Sequence, residues 1–371
     1  MASGGIRPLT GIRGVAAVHV MLFHYFLGLP YSSPLSTFIA HGYLEVDLFF
    51  VLSGFVMALN YAHIFAGGWT NPGYFRFLSR RIARVYPLYF FTTICALLLA
   101  ILGFIDLPRL ASLKITFIAN ILMIQSWGLA DSLNPPAWSI SSEWAAYLLF
   151  PLLVAGLLRR PVLAWTWGII CIAILGMLSH TPVAFGHQAR PNALLDLSDP
   201  RFAIPVLRCL TEFSLGLIAF RAMKTRVGSF IANKGWISSL ICLSWVALMS
   251  VPRADLAVVL LLPLLVISIT SEQRGAGKLL ASRAIEFAGQ LSYSIYLIHA
   301  LMRGLIIKLH ARIESLGFHH AQTYAACCAA GATFLLAYLA YHFIEIPGRQ
   351  QLRRMFEGHR PPNIIAEPSA P

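Results

Sequence analysis

Continuous apolar runs of about twenty residues, parted by short basic segments, constrain this chain more than any other feature. They fall at 9–29, 42–61, 86–105, 138–158, 161–179, 201–222, 235–251, 254–270, 286–307 and 322–344. The runs do not alternate with period two, which argues against a β-barrel, and a backbone in lipid must satisfy its own N–H and C=O groups. The expected fold is therefore an all-α integral membrane bundle of about ten transmembrane helices. Composition agrees: 58% of the 371 residues are hydrophobic and 12% are charged, about half the charged fraction of a soluble protein. No cleavable signal peptide is visible, because the first run is long, carries charges and lacks a small-residue cleavage site.

A further apolar run, 115–127, is short for a span and leads into the breaker Asn134-Pro135-Pro136. It reads as re-entrant, the whole segment covering about 115–137. If it does not cross, eighteen of the 28 Lys and Arg residues fall on the N-terminal side of the bundle and seven on the other. That bias places both termini in the cytoplasm. Net charge is +13, but the positive charges sit between spans, where they set topology and meet anionic lipid or ligand rather than nucleic acid. One membrane domain is expected over 7–350, followed by a basic and then Pro-rich tail over 351–371. The one sizeable external loop is 180–200, with Arg190, Asp196 and Asp199. The six cysteines lie in apolar segments without metal-ligand spacing and read as buried small side chains; no metal site is expected.

The polar residues inside the spans carry the chemistry, since an ionisable group in a membrane helix costs several kcal/mol unless it faces protein or water. Arg13 and His24 are eleven residues apart, about three turns, so both lie on one face of the first helix, roughly 16 Å apart along its axis. Glu45 and Asp47 open the second span. Asp47 stands at a depth similar to His24 and would fix its tautomer and raise its basicity, as a general base requires. The bland alternatives are a snorkelling Arg13, a satisfied interior histidine and an interfacial Asp47.

Segment 74–89, YFRFLSRRIARVYPLY, places Arg76, Arg80 and Arg84 at i, i+4 and i+8, with Arg81 beside them. It is either a basic amphipathic helix on anionic lipid or a clamp for the phosphates of a ligand such as a coenzyme A. Glu143, in NPPAWSISSEWAAYLLFP, is a helix-start carboxylate at the depth of Asp47 and the alternative to it for orienting His24, and helix capping alone would also explain it. Arg208 and Glu212, four apart, can pair within the bundle. Tyr293, Tyr296, His299 and Arg303 form a further polar stripe, and Ser53-Gly54 is a small pair that lets another helix approach closely. These groups suit transfer of an acyl group from a cytosolic donor to a hydroxyl. A proton-coupled or lipid-linked-glycan transporter would use similar residues, though no pair of related halves is visible.

The residues also carry a resemblance. Arg13 and His24 in LTGIRGVAAVHVMLFHY match the R-x10-H signature of the membrane acyltransferase-3 family of bacterial O-acyltransferases. GYLEVDLFFVLSGFVM resembles its block around the acidic residue Asp47, and FLSRRIARVYPLY resembles its R-x-x-R block, giving Arg81 and Arg84. PAWSISSEWAAYLLFPLL gives Glu143, LSYSIYLIHA gives Tyr293 and His299, and HFIEIPGR gives Glu345. The blocks appear in family order over roughly 7–350. The resemblance implies ten helices in a bacterial inner membrane, no permanently bound cofactor, and acyl-CoA, acetyl-CoA foremost, as co-substrate. His24, as general base or transient acyl carrier, would be catalytic with Asp47, Glu143 and Arg13, and Arg76, Arg80, Arg81 and Arg84 would serve the acyl-CoA. The implied acceptor is a hydroxyl of a cell-surface or lipid-linked carbohydrate, with any extracytoplasmic partner domain encoded separately.

Overall fold

A computed structural model describes residues 6–26, 33–104, 111–180, 193–196, 203–317 and 320–357. The expected loop residues Arg190 and Asp199, Arg201 at the start of the expected span 201–222, and the tail beyond 357 lie outside the described residues. Among the described residues every regular element is helical.

Helix α1 (Arg7–Tyr25) starts where Pro8 pre-sets the helical φ of the first turn, and it is buried along most of its length. A seven-residue helix, α2 (Pro34–Ala40), is closed at its start by a Ser33–Ser36 capping box and leads through a 3₁₀ turn into α3 (Glu45–Tyr61). Helix α4 (Asn71–Ile101), capped by Thr70, is 31 residues long. It joins the expected amphipathic segment to the expected span through Pro87. Membrane helices tolerate such a proline because neighbouring groups re-satisfy the freed carbonyl. At 1.5 Å per residue the helix is about 46 Å long, well beyond the ~30 Å hydrocarbon layer, so its arginine-bearing end projects.

Helix α5 (Leu113–Ile121) has nine residues, too few to cross, and the chain turns away at Met123 with φ of 56°. Asn120 then ties the return: its amide donates to the carbonyls of Thr116 (2.8 Å) and Asp131 (2.9 Å) and accepts from the Leu133 N–H (3.0 Å). Segment 115–137 thus folds back on itself into α6 (Trp138–Leu153), which runs on through a π-turn to Leu158.

Helices α7 (Pro161–His180) and α8 (Ile204–Met223) follow, and then α9 (Arg226–Asn233) and α10 (Gly235–Met249), bent by 84°. Next are α11 (Asp255–Ser268), α12 (Gly275–Leu280), α13 (Arg283–Gln290) and α14 (Ser292–Ile298). A 3₁₀ turn over His299–Met302 separates α14 from α15 (Arg303–Ser315). The expected span 286–307 is therefore broken, and Arg303 is exposed at the head of a polar helix. An unpaired guanidinium is too costly to bury, so Arg303 leaves the polar stripe. Helix α16 (Ala321–Ala340) passes through a π-turn into α17 (Ile346–Glu357), so the boundary expected at 350 falls inside a helix. The buried residues of α16 are all small: Ala321, Ala325, Ala326, Ala329, Thr333, Ala337 and Ala340. Cys327 and Cys328 are on its exposed face, contrary to expectation.

Five helical segments among the described residues are long and apolar enough to cross a membrane: Pro34–Phe65, Asn71–Ile101, Pro135–Leu158, Pro161–His180 and Ala321–Glu357. The bent α9–α10 pair makes a sixth if it is one span. Helices α1 and α8 have comparable length, 19 and 20 residues; α8 holds the buried Arg208 and Glu212, and α1 carries the partly buried Arg13 and His24. Helix α1 packs against α3, α13, α14 and α16, so its polar face opens into the middle of the bundle.

Candidate active site

His24, in the last turn of α1, does not meet a carboxylate of α3 or α6. Its Nδ1 lies 3.0 Å from the Val20 carbonyl and 3.2 Å from Nε2 of His299, and the two rings have centroids 4.9 Å apart. His299 is fully buried where α14 breaks, with Nδ1 3.3 Å from the Ile295 carbonyl. Tyr25, the next residue on α1, donates to the His299 carbonyl (3.2 Å) and shares a 2.5 Å hydrogen bond with Thr333 of α16. Both histidines are thus gripped by helix backbone. Sequence periodicity places them on polar faces but does not say that the faces meet.

Asp47 is engaged elsewhere. Its carboxylate accepts both Nε (2.9 Å) and Nη2 of Arg208, in a two-pronged ion pair with neither side chain exposed. The Arg208 Nε is also 3.5 Å from Glu212, and its guanidinium lies over the Trp138 ring at 5.7 Å. The expected orientation of His24 by Asp47 is corrected: the guanidinium, the stronger partner for a buried carboxylate, takes Asp47. The i, i+4 relation of Arg208 and Glu212 was legible; their third member was not. Glu45 likewise turns to His19, 2.6 Å away, whose ring stacks on Phe38.

Glu143 does not orient His24 either. It accepts from the Tyr147 hydroxyl at 2.7 Å and interacts electrostatically with Arg13 and Arg81. Arg13 also feels Arg84, Tyr147 and Glu345, and it remains partly exposed. Gly11 and Gly14 of α1 press against α12 and α13, and at Gly14 a Cβ would come 2.5 Å from the Gly289 nitrogen.

The arginines of α4 separate by depth. Arg76 is exposed, and Arg80 makes a surface ion pair with Glu357 of α17 at 2.8 Å. Arg84 is buried in an ion pair with Glu345, whose second oxygen accepts from Ser294 at 2.8 Å, and its guanidinium faces the Tyr293 ring at 5.3 Å. The Tyr293 hydroxyl donates to the Val85 carbonyl at 2.7 Å, and Tyr296 pairs with Ser139 at 2.8 Å. Arg81 donates to the Tyr61 hydroxyl at 2.8 Å and lies 4.8 Å from that ring, while its buried Nε has no hydrogen-bond partner.

One contributor does not follow from the sequence. Helix α17 lies antiparallel along α4, joined by Arg80–Glu357 and by Gly348, where a Cβ would stand 2.5 Å from Pro87. This brings Arg349 into electrostatic range of Arg81, Arg84 and Arg353, with Glu345 as the one attractive neighbour among its principal interactions. In the sequence GRQQLRR, Arg349 falls at the edge of the expected membrane domain and Arg353 and Arg354 in the expected tail, with nothing to place them beside α4. Since Glu345 is committed to Arg84, the α4–α17 contact carries surplus positive charge. Among the described residues no group of three His, Cys, Asp or Glu side chains stands where it could hold a metal ion.

The site can thus bind anionic groups at one end and offer a backbone-gripped histidine at the other. Comparison with known proteins gives this chemistry a family. A model described as an acyltransferase domain matches residues 7–342. The chain is 28% identical over 317 residues to acyltransferase MdmB of Streptomyces mycarofaciens, covering 80% of this chain and 79% of that protein. It is 24% identical over 389 residues to peptidoglycan O-acetyltransferase OatA of Listeria monocytogenes, covering 97% of this chain but 58% of that longer protein. An 83-residue stretch is 47% identical to protein 2 in the picA locus of Rhizobium radiobacter, 22% of this chain and 38% of that one. No solved structure matches the chain. The chain is a membrane acyltransferase and belongs to the acyltransferase-3 family.

Proposed function

We propose that the chain is an O-acyltransferase that moves a short acyl group, acetyl foremost, from acyl-CoA to a hydroxyl of a cell-surface or lipid-linked carbohydrate. The observation that carries this reading is the polar column through the bundle. It begins with Arg81, Arg349 and Arg353 and reaches Arg13 and Glu143; Arg13 shares its helix face with His24, roughly 16 Å along the axis, where His24 meets His299. Guanidinium groups bind phosphates bidentately, which suits the phosphates of coenzyme A. Arg84, neutralised by Glu345, shapes that end rather than binding. The distribution of Lys and Arg supports a cytoplasmic position for it, in a bacterial inner membrane. The name of one relative, a peptidoglycan O-acetyltransferase, supports a glycan acceptor.

In the reaction the thioester C–S bond breaks and an ester C–O bond forms. The acceptor hydroxyl gives its proton to His24, which returns it to the departing thiolate, so coenzyme A leaves as the thiol. Arg13 balances charge along the path of the donor. The test uses purified protein with labelled acetyl-CoA and a carbohydrate acceptor. His24→Gln is expected to lower transfer by about 10²–10⁴-fold, the usual contribution of a general base. A wild-type rate in that variant overturns the assignment.

A second prediction tests the donor end. Arg349→Ala and Arg353→Ala are each expected to raise the KM for acyl-CoA roughly tenfold or more with kcat little changed, since each removes a charged hydrogen bond worth about 1.5–3 kcal/mol. Arg76→Ala, at an exposed position, serves as the control. An unchanged KM in both α17 variants removes that helix from the donor site.

A further inference from the structure

We propose that His299 is the positioning residue for His24, holding it in the tautomer with hydrogen on Nδ1 so that the Nε2 lone pair meets the reacting group. The inference rests on the reading of His24 as the reacting base. A carbonyl oxygen only accepts hydrogen bonds, so the 3.0 Å approach of His24 Nδ1 to the Val20 carbonyl requires the hydrogen to be on Nδ1. The same argument at His299, where Nδ1 faces the Ile295 carbonyl at 3.3 Å, puts its hydrogen on Nδ1 too. A neutral His299 then carries its lone pair on Nε2, which is the atom 3.2 Å from His24 Nδ1. The two rings therefore agree: one N–H of His24 is shared between a backbone carbonyl and the His299 lone pair. Reversing His24 would set its Nδ1 lone pair against both a carbonyl oxygen and the His299 lone pair.

The partner is also immobile. His299 is fully buried, its carbonyl is held by Tyr25, and its ring packs near Tyr296 at 5.8 Å between centroids. A carboxylate in this place would attract the imidazolium form of His24. A neutral imidazole fixes the same tautomer and ring orientation without a full charge. His24 therefore enters the reaction already oriented, with hydrogen on Nδ1 and Nε2 turned to the reacting group.

The test compares two replacements of similar length, His299→Gln and His299→Met, in the full-length purified protein. Gln offers an amide oxygen to the His24 N–H, whereas Met offers only a weakly accepting sulfur. With labelled acetyl-CoA, the Met variant is expected to lose roughly a hundredfold in kcat with KM for the donor unchanged, and the Gln variant to recover most of that loss. A folded Met variant with wild-type kcat overturns the proposal, as do folded Gln and Met variants that are equally impaired. A readout without substitution at 299 accompanies them: nitrogen NMR of histidine-labelled protein in lipid, with the His24 signals identified by their loss in His24→Gln. Hydrogen on Nδ1 of His24 is expected, and hydrogen on Nε2 overturns the proposal whether or not either variant folds. If His24→Gln itself transfers acyl groups at the wild-type rate, it is the role of His24 that fails, while the tautomer remains separately measured.

Discussion

Arg208→Met is expected to destabilise the protein by about 3–5 kcal/mol, the usual cost of leaving one partner of a buried ion pair alone. Arg208 and Asp47 are 1% and 0% exposed, and Glu212 stands beside them, also fully buried. Removing the guanidinium would leave two carboxylates facing each other without a counter-charge. Asp47→Asn is expected to cost less, because Arg208 keeps Glu212 at 3.5 Å. The double variant, Asp47→Asn with Arg208→Met, should recover part of the loss, since it removes one of the two stranded carboxylates and leaves only Glu212 without its counter-charge. Thermal unfolding of the detergent-solubilised variants gives the order, and the cycle gives the coupling. Equal midpoints for wild type and Arg208→Met would refute it. Transfer assays add a second reading. If Asp47 serves Arg208 and not His24, the double variant transfers acyl groups once folded; if it stays inactive while folded, Asp47 acts on the chemistry.

That separation shows what one sequence reveals. The eleven-residue spacing of Arg13 and His24 gave a face, and the structure turns that face to the interior. Arg208 and Glu212 were legible as an i, i+4 pair because helical geometry is local. Asp47 is 161 residues from Arg208, and nothing in periodicity names a neighbour across that distance. The stripe Tyr293, Tyr296, His299 divides the same way: one face, but three destinations, at Val85, Ser139 and His24. Arg303 fell away because the helix breaks at His299. Helix α17 was hidden for a different reason. Pro347 and the sparse apolar residues after it look like a terminus, yet proline fits the first turn of a new helix and a π-turn carries the chain into it.

The contact that brings Asp47 and Arg208 together is itself open to test at Gly54, half of the Ser53-Gly54 pair. A Cβ at Gly54 would come 2.0 Å from the Phe213 carbonyl oxygen, and one at Gly216 would come 2.1 Å from that of Val51. The obstacles are backbone atoms on both sides, so no rotamer change relieves them, and α3 and α8 would have to separate. Asp47 and Arg208 lie seven and eight residues back along these two helices, about 10–12 Å away, and a separation there lengthens a buried ion pair that needs close geometry. Gly54→Ala, a change of one methyl group, is therefore expected to cost at least the ~1–3 kcal/mol of ordinary overpacking and to lower transfer with it. Gly176→Ala on α7 is the matched control, because its Cβ would meet nothing within 4 Å and alanine favours a helix over glycine by about 1 kcal/mol. Yield of monodisperse protein, thermal midpoint and transfer rate should all fall in the first variant and hold in the second. A Gly54→Ala protein that unfolds at the wild-type temperature would mean that α3 and α8 do not pack backbone to backbone, and the close pairing of Asp47 with Arg208 would then need another cause.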